Sequence, residues 1–269
     1  MSSSATTRAA TLTAGRRSLR AGSSSALVPG VLGIAAFFGL WWLGAARTRF
    51  IPPIGEALAQ YPEFLASGVW TDIGASLSRV VLALIVALAF GAAAAWVIVN
   101  GGFWSRVVSR YVDLAIGLPS TIVALLALMI FKRSEAGVFL VVAVACFPFI
   151  TISLRQGLAA MGPQLADMAA VYRFGRARAF RHVLLPHLVP YAMASARNEY
   201  AHAWRVVVLA EIFAVNSGVG HRFTQAFDRF LIDDVVLWLV TFILLLLGSE
   251  YLILRPLEKF VLRWRGDNS

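Results

Sequence analysis

Long stretches without a charged side chain alternate with short polar segments along the chain. Five uncharged, mostly apolar runs cover residues 26–46, 80–99, 114–131, 136–154 and 235–249. A helix needs about 20 apolar residues to cross the hydrocarbon of a bilayer, and buried helices of soluble proteins rarely run so far without a charge. A sixth apolar segment, which ends near residue 214, is interrupted by charges. We predict six transmembrane helices, at about 26–46, 77–99, 112–131, 136–154, 186–214 and 234–254.

Composition and charge agree with this pattern. Hydrophobic residues make up 59% of the chain and charged residues only 14%, with 24 Lys and Arg against 14 Asp and Glu. Such an excess of cations also occurs in nucleic-acid-binding proteins, so the distribution of the cations along the chain has to decide. Most of them lie in residues 1–25, 155–183 and 255–269. The positive-inside rule then predicts that both termini are cytoplasmic, and the basic charge requires no nucleic acid.

This topology predicts three parts. Residues 1–25 form a mobile cytoplasmic tail, residues 26–254 form the transmembrane domain, and residues 255–269 form a second cytoplasmic tail. Two prolines within predicted crossings, Pro119 and Pro148, each kink or locally open a membrane helix. Kinked inner helices suit a transport pathway, although prolines are also simply common in membrane helices.

The longest cytoplasmic segment, residues 155–183, is predicted to hold a helix of its own. Gly162-Pro163 supplies a break and a proline for the first turn, and Asp167 follows where a helix N-terminus favours an acid. Three arginines, Arg176, Arg178 and Arg181, crowd the other end, where cations are favoured. Pro186 then marks the return into the membrane.

The same segment carries a resemblance to a known family. It resembles the cytoplasmic loop by which membrane subunits of bacterial binding-protein-dependent ABC importers dock on their ATPase, in the branch that serves nitrate, sulfonates and taurine. Asp167 and Ala169 take the places of that motif's Glu and Ala, and the Leu-Pro pair is kept. Arg173 stands where the motif has glycine, and Gly175 follows two residues later. The coupling residues that the resemblance implies are Asp167, Ala169, Ala170, Arg173, Gly175, Arg176 and Pro186.

Further short matches lie in the same order as in that family. They are Phe50-Ile51-Pro52-Pro53, Ser76-Leu77-Ser78-Arg79, Ala203-Trp204, Ala210-Glu211 and Gly218-Val219-Gly220. The resemblance implies the transmembrane-domain fold of type I ABC importers and a multi-pass place in the bacterial inner membrane. It implies transport by alternating access without enzymatic activity in this chain.

The resemblance also implies partners and a cargo class. The partners are two cytoplasmic ABC ATPase subunits, a second permease subunit that is identical or unlike, and an extracytoplasmic substrate-binding protein. The chain binds no cofactor, while ATP and Mg²⁺ belong to the ATPase. The cargo is a small organic or inorganic anion of the sulfonate, taurine, nitrate or aromatic acid type.

Charges inside a membrane helix are costly unless they are paired or hydrated, so they are functional candidates. Arg205 stands out, because a guanidinium offers directed hydrogen bonds to an anion. The alternatives are an ion pair with Glu199, Glu211 or Glu250, or a position facing another subunit. Glu211 is expected to be structural or gating, and Arg79 to reach toward the membrane surface. The pathway candidates are Arg205, Trp204, Arg197, Glu199, Glu211, Pro119 and Pro148.

Other classes of function find less support in the sequence. No phosphate-binding Gly-x-x-x-x-Gly-Lys-Ser/Thr motif is present, so we expect ATP hydrolysis on another polypeptide. Cys146 and His202 have no ligand partner at metal-binding spacing, so no metal is predicted. A secondary carrier working without an ATPase remains an alternative. An intramembrane enzyme would have only Ser195, Ser249 and His202 as raw material, and Ser195 lies two helical turns from His202.

Overall fold

The computed structural model describes residues 27–47, 53–131, 134–162, 168, 171–172 and 174–265. Their regular structure is helical, and the described residues contain no strand, which confirms the predicted fold class. The α-helices are α1 (Leu27–Arg47), α2 (Ile54–Ala66), α3 (Trp70–Val99), α4 (Gly102–Gly117), α5 (Ser120–Phe131), α6 (Glu135–Ala159), α7 (Arg176–Ala179), α8 (Leu185–Ala214), α9 (Val219–Asp228), α10 (Ile232–Ser249) and α11 (Arg255–Leu262). One π-helical turn (Phe180–Leu184) precedes α8, another (Glu250–Leu254) precedes α11, and a 3-10 turn (Arg263–Arg265) follows α11.

The chain divides into two compact units, residues 1–60 and residues 61–269. The described part of the first unit holds α1 and the beginning of α2. Helix α1 has 21 residues, with no acid in its first turn and Arg47 in its last, and this is the length of a membrane span. The second unit holds the remaining helices, and the contacts described below lie within it.

Helix α6 is the central helix of the second unit. In its most apolar window 61% of the residues are buried, against 28% in α3 and 28% in α10 with its continuation. It packs along both α3 and α8, which also contact each other. Gly91 lets α3 approach α6, since a Cβ at this position would lie 2.7 Å from Cγ2 of Ile150. Small residues allow such close packing of membrane helices.

The described residues include three helical stretches that are long and apolar enough to cross a membrane alone: α3, α6 and Ile232–Leu262. Two bent pairs raise this number to five if each pair forms one span, namely α4 with α5, and Ala177–Ala214 with α9. Two boundaries differ from the predicted ones. Helix α3 begins at Trp70 rather than near residue 77, and α6 continues to Ala159 beyond residue 154.

The predicted third crossing, residues 112–131, is not one helix. Helix α4 ends at Gly117, α5 begins at Ser120, and the two bend by 102°. Leu118 between them has an extended backbone, with φ −86° and ψ 134°. A proline disfavours the helical conformation of the residue before it, so Pro119 breaks the helix at Leu118. The sequence had predicted that Pro119 kinks or locally opens a helix within one crossing.

The arginine-rich end of the cytoplasmic segment also differs from the prediction. We expected Arg176, Arg178 and Arg181 to end a separate helix, but α7 runs through the π turn into α8 without a break. In that turn the amide of Leu185 donates to the carbonyl of Phe180. A proline lacks the amide proton and crowds the preceding turn, so a wider turn ahead of Pro186 accommodates its ring.

Candidate functional site

A buried arginine organises one end of the second unit. Arg79 of α3 is 3% exposed and donates five hydrogen bonds, as many as a guanidinium has N–H groups. Its Nη1 lies 2.8 Å from Oε1 of Glu211 on α8. Its Nη2 lies 2.6 Å from Oε1 of Glu135 at the start of α6. The other contacts are to the carbonyl and hydroxyl oxygens of Ser217. One side chain therefore ties three helices and a loop together.

The carboxylate of Glu211 is equally well satisfied. It is fully buried and accepts hydrogen bonds from the hydroxyl of Ser76, at 2.7 and 2.9 Å, and from the amide of Gly220, at 2.9 Å. The hydroxyl of Ser76 in turn accepts from the amide of Val219, at 2.9 Å. Buried charges persist where they are both paired and hydrogen-bonded, as here. The network holds the loop between α8 and α9, which agrees with a structural role for Glu211, whereas a gating role stays a prediction.

Asp72, which lies one turn before Ser76 on α3, extends the network. Its carboxylate accepts from the amide of Gly218, at 2.8 Å, and from Nε of Arg222 on α9, at 2.8 Å. We call the set Asp72, Ser76, Arg79, Glu135, Glu211 and Ser217 the Arg79 cluster. Arg79 was expected to reach toward the membrane surface, and that expectation was wrong. The spacing of Asp72, Ser76 and Arg79 at i, i+4 and i+7 puts them on one helix face, which is the signal that could have revealed it.

The predicted pathway candidates on α8 lie on different faces. Trp204 is fully buried, with Tyr200 and Phe242 placed edge-on at ring-centroid distances of 6.3 and 5.9 Å. It is a core residue in this structure. Pro148 on α6 is fully buried as well, while Pro119 lies at the break between α4 and α5.

An exposed stripe runs along the other side of α8. Its members are Ala194, Arg197, Asn198, Ala201 and Arg205. Arg197 lies 3.2 Å from Glu258 and 3.9 Å from Glu250, so ion pairs hold it near α11. Arg205 donates only to the carbonyl of Ala201, at 3.1 Å, and forms no ion pair with a carboxylate of the described residues. The ion pairs proposed for Arg205 with Glu199, Glu211 or Glu250 are absent there, since those acids bind other partners.

Glu199 faces the protein interior and not the exposed stripe. Its Oε2 lies 2.9 Å from Nδ1 of His202, one turn later on α8. The thiol of Cys146, on α6, belongs to the same group, in which one ligand atom from each residue lies within 4.8 Å of the others. The sequence did not predict that these three residues are close together, because Cys146 lies on a different helix from Glu199 and His202.

Ser195 and Ser249, the candidate nucleophiles of an intramembrane enzyme, form hydrogen bonds with other groups than His202. The hydroxyl of Ser195 donates to the carbonyl of Ala192, at 2.9 Å, and the hydroxyl of Ser249 contacts the hydroxyl of Tyr200. Among the residues described, neither serine hydrogen-bonds to His202. The geometry therefore contains no serine nucleophile activated by this histidine.

The predicted coupling residues are only partly within the described residues. Asp167, Ala169, Ala170 and Arg173 lie outside them, and of Arg176 only the backbone, at the start of α7, is described. The carbonyl of Gly175 accepts from the amide of Ala179, at 2.9 Å, and Pro186 occupies the first turn of α8. Close by, Arg178, Phe180 and Arg181 are exposed. Arg178 and Arg181, three positions apart, lie on the same side of this helical stretch and form a basic surface.

Residues 73–255 match the family described as binding-protein-dependent transport system inner membrane component. The matched range spans more than half of the 269 residues and holds α8 and most of the Arg79 cluster. The chain belongs to this family. The resemblance seen in the sequence and the inner-membrane location are thereby confirmed, whereas the cytoplasmic placement of the termini stays a prediction.

Relatives of this inner membrane component are similar along most of their length. This chain is 25% identical over 244 residues to the taurine transport system permease protein TauC of Escherichia coli strain K12, and the match covers 87% of this chain and 88% of that protein. It is 28% identical over 228 residues to the putative aliphatic sulfonates transport permease protein SsuC of the same strain, covering 82% and 84%. The nitrate import permease protein NrtB of Synechococcus elongatus is 23% identical over 164 residues, covering 61% and 58%.

Two solved structures share the fold of this inner membrane component. One shows inward-facing conformations of the MetNI methionine ABC transporter, with a TM-score of 0.57 and 17% identity over 73% of this chain and 95% of that one. The other is an amino acid ABC transporter with histidines, with a TM-score of 0.55 and 18% identity over 75% and 96%. Both likenesses support the predicted transmembrane-domain fold of ABC transporters.

Proposed function

We propose that this family member is the permease subunit of an ATP-driven importer of a small anion, moved by alternating access. The observation that carries the proposal is Arg205, a cation on the exposed stripe of α8 that forms no ion pair with a described carboxylate. The taurine, sulfonate and nitrate permeases named above serve compounds with an anionic group. A sulfonate, a nitrate or an aromatic acid would be a cargo of this kind.

An unpaired guanidinium within a membrane helix needs water or an anion beside it, because the hydrocarbon cannot solvate the charge. Its planar set of donors matches the oxygens of a sulfonate, nitrate or carboxylate group. Arg197 on the same stripe is held by Glu250 and Glu258, so it has less capacity for cargo. Arg205 is the residue we assign to the anion.

The continuous helix from α7 into α8 would link a bound ATPase physically to Arg205. Arg178 and Arg205 belong to one helical stretch, and 27 residues at about 1.5 Å each place them about 40 Å apart along it. An ATPase bound at Arg178, Phe180 and Arg181 could therefore move the helix that carries Arg205. Residues 155–183 would be the docking segment, and two ATPase subunits would hold the ATP and Mg²⁺, neither of which this chain would bind.

The exposed stripe also fits a second permease subunit. Two such chains facing each other would enclose a pathway between their α8 helices and exclude lipid from Arg205. The partner would be an identical or an unlike permease. An extracytoplasmic binding protein would deliver the cargo, in keeping with the description of the family.

The experiment is uptake into proteoliposomes that contain this chain with an ABC ATPase and a binding protein from the same organism. The cargo is first identified as the ligand of that binding protein. We expect ATP-dependent uptake, an at least tenfold loss of uptake in Arg205→Gln, and partial recovery in Arg205→Lys. Arg110→Gln is the matched control, because Arg110 is also exposed but lies on α4.

Two results would count against this function. Uptake by the chain without ATPase or ATP would make it a secondary carrier. Unchanged uptake by Arg205→Gln, in an assembly with normal ATP hydrolysis, would remove Arg205 from the pathway while leaving the importer intact.

A further inference from the structure

We propose that Cys146, Glu199 and His202 form a binding site for one divalent transition metal ion of the zinc class. The three residues meet where α6 packs against α8, and one ligand atom from each lies within 4.8 Å of the others. Cys146 is fully buried, Glu199 is 8% exposed, and His202 is half-buried. The set therefore sits in a protein interior and not on a hydrated surface where acids and histidines meet by chance.

The donor types select the metal. One sulfur, one imidazole nitrogen and one carboxylate oxygen are a mixture that Zn²⁺ accepts, whereas Mg²⁺ and Ca²⁺ require oxygen ligands. Charge balance points the same way. A divalent ion with one thiolate and one carboxylate has no net charge, so the loaded site can lie within an apolar helix interface without an unpaired charge.

The geometry needs only a small adjustment. Bonds of about 2.0 to 2.3 Å place tetrahedral zinc ligands about 3.3 to 3.8 Å apart, so the ligand atoms would approach by about 1.5 Å at most. Nδ1 of His202 lies 2.9 Å from Oε2 of Glu199, where the two share a hydrogen bond, so this pair would instead move apart by about 0.4 Å. On binding, the imidazole proton is carried by Nε2, the metal takes Nδ1, and the thiol of Cys146 releases its proton.

A neighbouring cavity reaches His202 and would give the ion access from that side. The cavity has a volume of about 210 Å³ and is lined by His202, by Ala145 and Phe149 of α6, and by residues on both sides of the break between α4 and α5. The ring of Phe149 lies edge-on to the imidazole of His202, at 5.8 Å between centroids, and fixes its orientation. With three protein ligands, a water molecule in the cavity would complete the tetrahedron.

The site would join the two central helices of the unit. A bound ion would fix α6 to α8 one turn before Arg205, so occupancy would limit movement of α8 against its neighbour. The inference itself does not depend on the proposed transport function, because metal binding is measured without cargo or ATPase.

Cobalt is the probe, since Co²⁺ occupies zinc sites and gives a thiolate-to-metal absorption band. The full chain is purified in detergent with an affinity tag that contains no histidine, and Co²⁺ is added, followed by Zn²⁺. The chain has one cysteine, so any such band reports Cys146 alone. We expect one Co²⁺ per chain, loss of the band when Zn²⁺ displaces it, and a higher unfolding temperature with Zn²⁺.

Three variants and one control separate a site from an ordinary helix interface. We expect Cys146→Ser to abolish the band, and Glu199→Gln and His202→Gln each to weaken binding at least tenfold. His182→Gln is the control, because this histidine is exposed and lies outside the group; it should bind like the unmodified chain. Absence of a thiolate band in folded protein, or equal binding by Cys146→Ser, overturns the proposal.

Discussion

Nη1 of Arg79 lies 2.8 Å from Oε1 of Glu211, and the two side chains are 3% and 0% exposed. Burial of two opposite charges is favourable only where their remaining donors and acceptors are also satisfied. Here Glu135, Ser76, Ser217 and the amide of Gly220 satisfy them. The ion pair therefore joins α3 to α8 at a cost that the surrounding hydrogen bonds offset.

Replacement of Arg79 by methionine should be strongly destabilising. Glu211 would keep its buried charge without a cation, and we expect the free energy of unfolding to fall by about 3 to 5 kcal/mol. The measurement is thermal unfolding of the detergent-solubilised chain. Arg110→Met is the matched control, because Arg110 and Asp113 are exposed and 3.9 Å apart, and such a pair contributes about 1 kcal/mol or less. Equal effects of both substitutions would show that the buried pair is not important for stability.

Gly218 is the glycine on which the Arg79 cluster depends. Its backbone has φ +104° and ψ 165°, a conformation that other residues adopt at a cost of about 1 to 3 kcal/mol. A Cβ there would also contact the carboxylate of Glu211 and lie 2.6 Å from Nη1 of Arg79. We expect Gly218→Ala to lower stability by at least about 2 kcal/mol. Gly248→Ala, in α10 with open space around it, should lower it not at all, and the comparison uses the same unfolding assay.

Helix α3 carries a matched pair of glycines. A Cβ at Gly91 would meet Ile150 and come within 3.3 Å of the amide of Thr151, whereas one at Gly74 would meet nothing within 4 Å. Gly91→Ala should therefore cost about 1 to 3 kcal/mol and Gly74→Ala nothing. In an Ile150→Ala background the cost of Gly91→Ala should shrink, which a double-mutant cycle would detect. If the effects of Gly91→Ala and Ile150→Ala on the free energy of unfolding are additive, the contact between Gly91 and Ile150 does not limit the approach of α3 to α6.

On the basis of the proposed function, we predict that the basic surface of Arg178 and Arg181 contacts the ATPase. We expect the double substitution Arg178→Glu and Arg181→Glu to lower cargo-stimulated ATP hydrolysis at least several-fold and to leave membrane assembly unchanged, because reversed charges repel a complementary surface. Arg263→Glu, an exposed cation after α11, is the control. The measurement is ATP hydrolysis by the reconstituted complex with and without loaded binding protein, and unchanged stimulation would place docking at another surface.

The helical membrane class was predictable, because long apolar runs report directly on the thickness of a bilayer. The break at Leu118 was only partly predictable: Pro119 marks the position, but a proline in a helix pattern can either kink the helix or end it. The Arg79 cluster escaped prediction because hydropathy evaluates each residue singly, whereas Arg79 finds Glu211 132 residues away. The same holds for Cys146, whose neighbours on α8 depend on how two helices pack.

The distance in sequence between Arg79 and its two acidic partners determines the order in which these partners are synthesised. Glu135 follows Arg79 by 56 residues and Glu211 follows it by 132. A ribosome adding about 5 to 20 residues per second produces Glu211 about 7 to 26 s after Arg79. Glu135 is thus the acid available to the nascent chain first, and it can hold the arginine until the second carboxylate arrives. Helix α8, which carries Glu211, would then pack against an arginine whose charge is already neutralised.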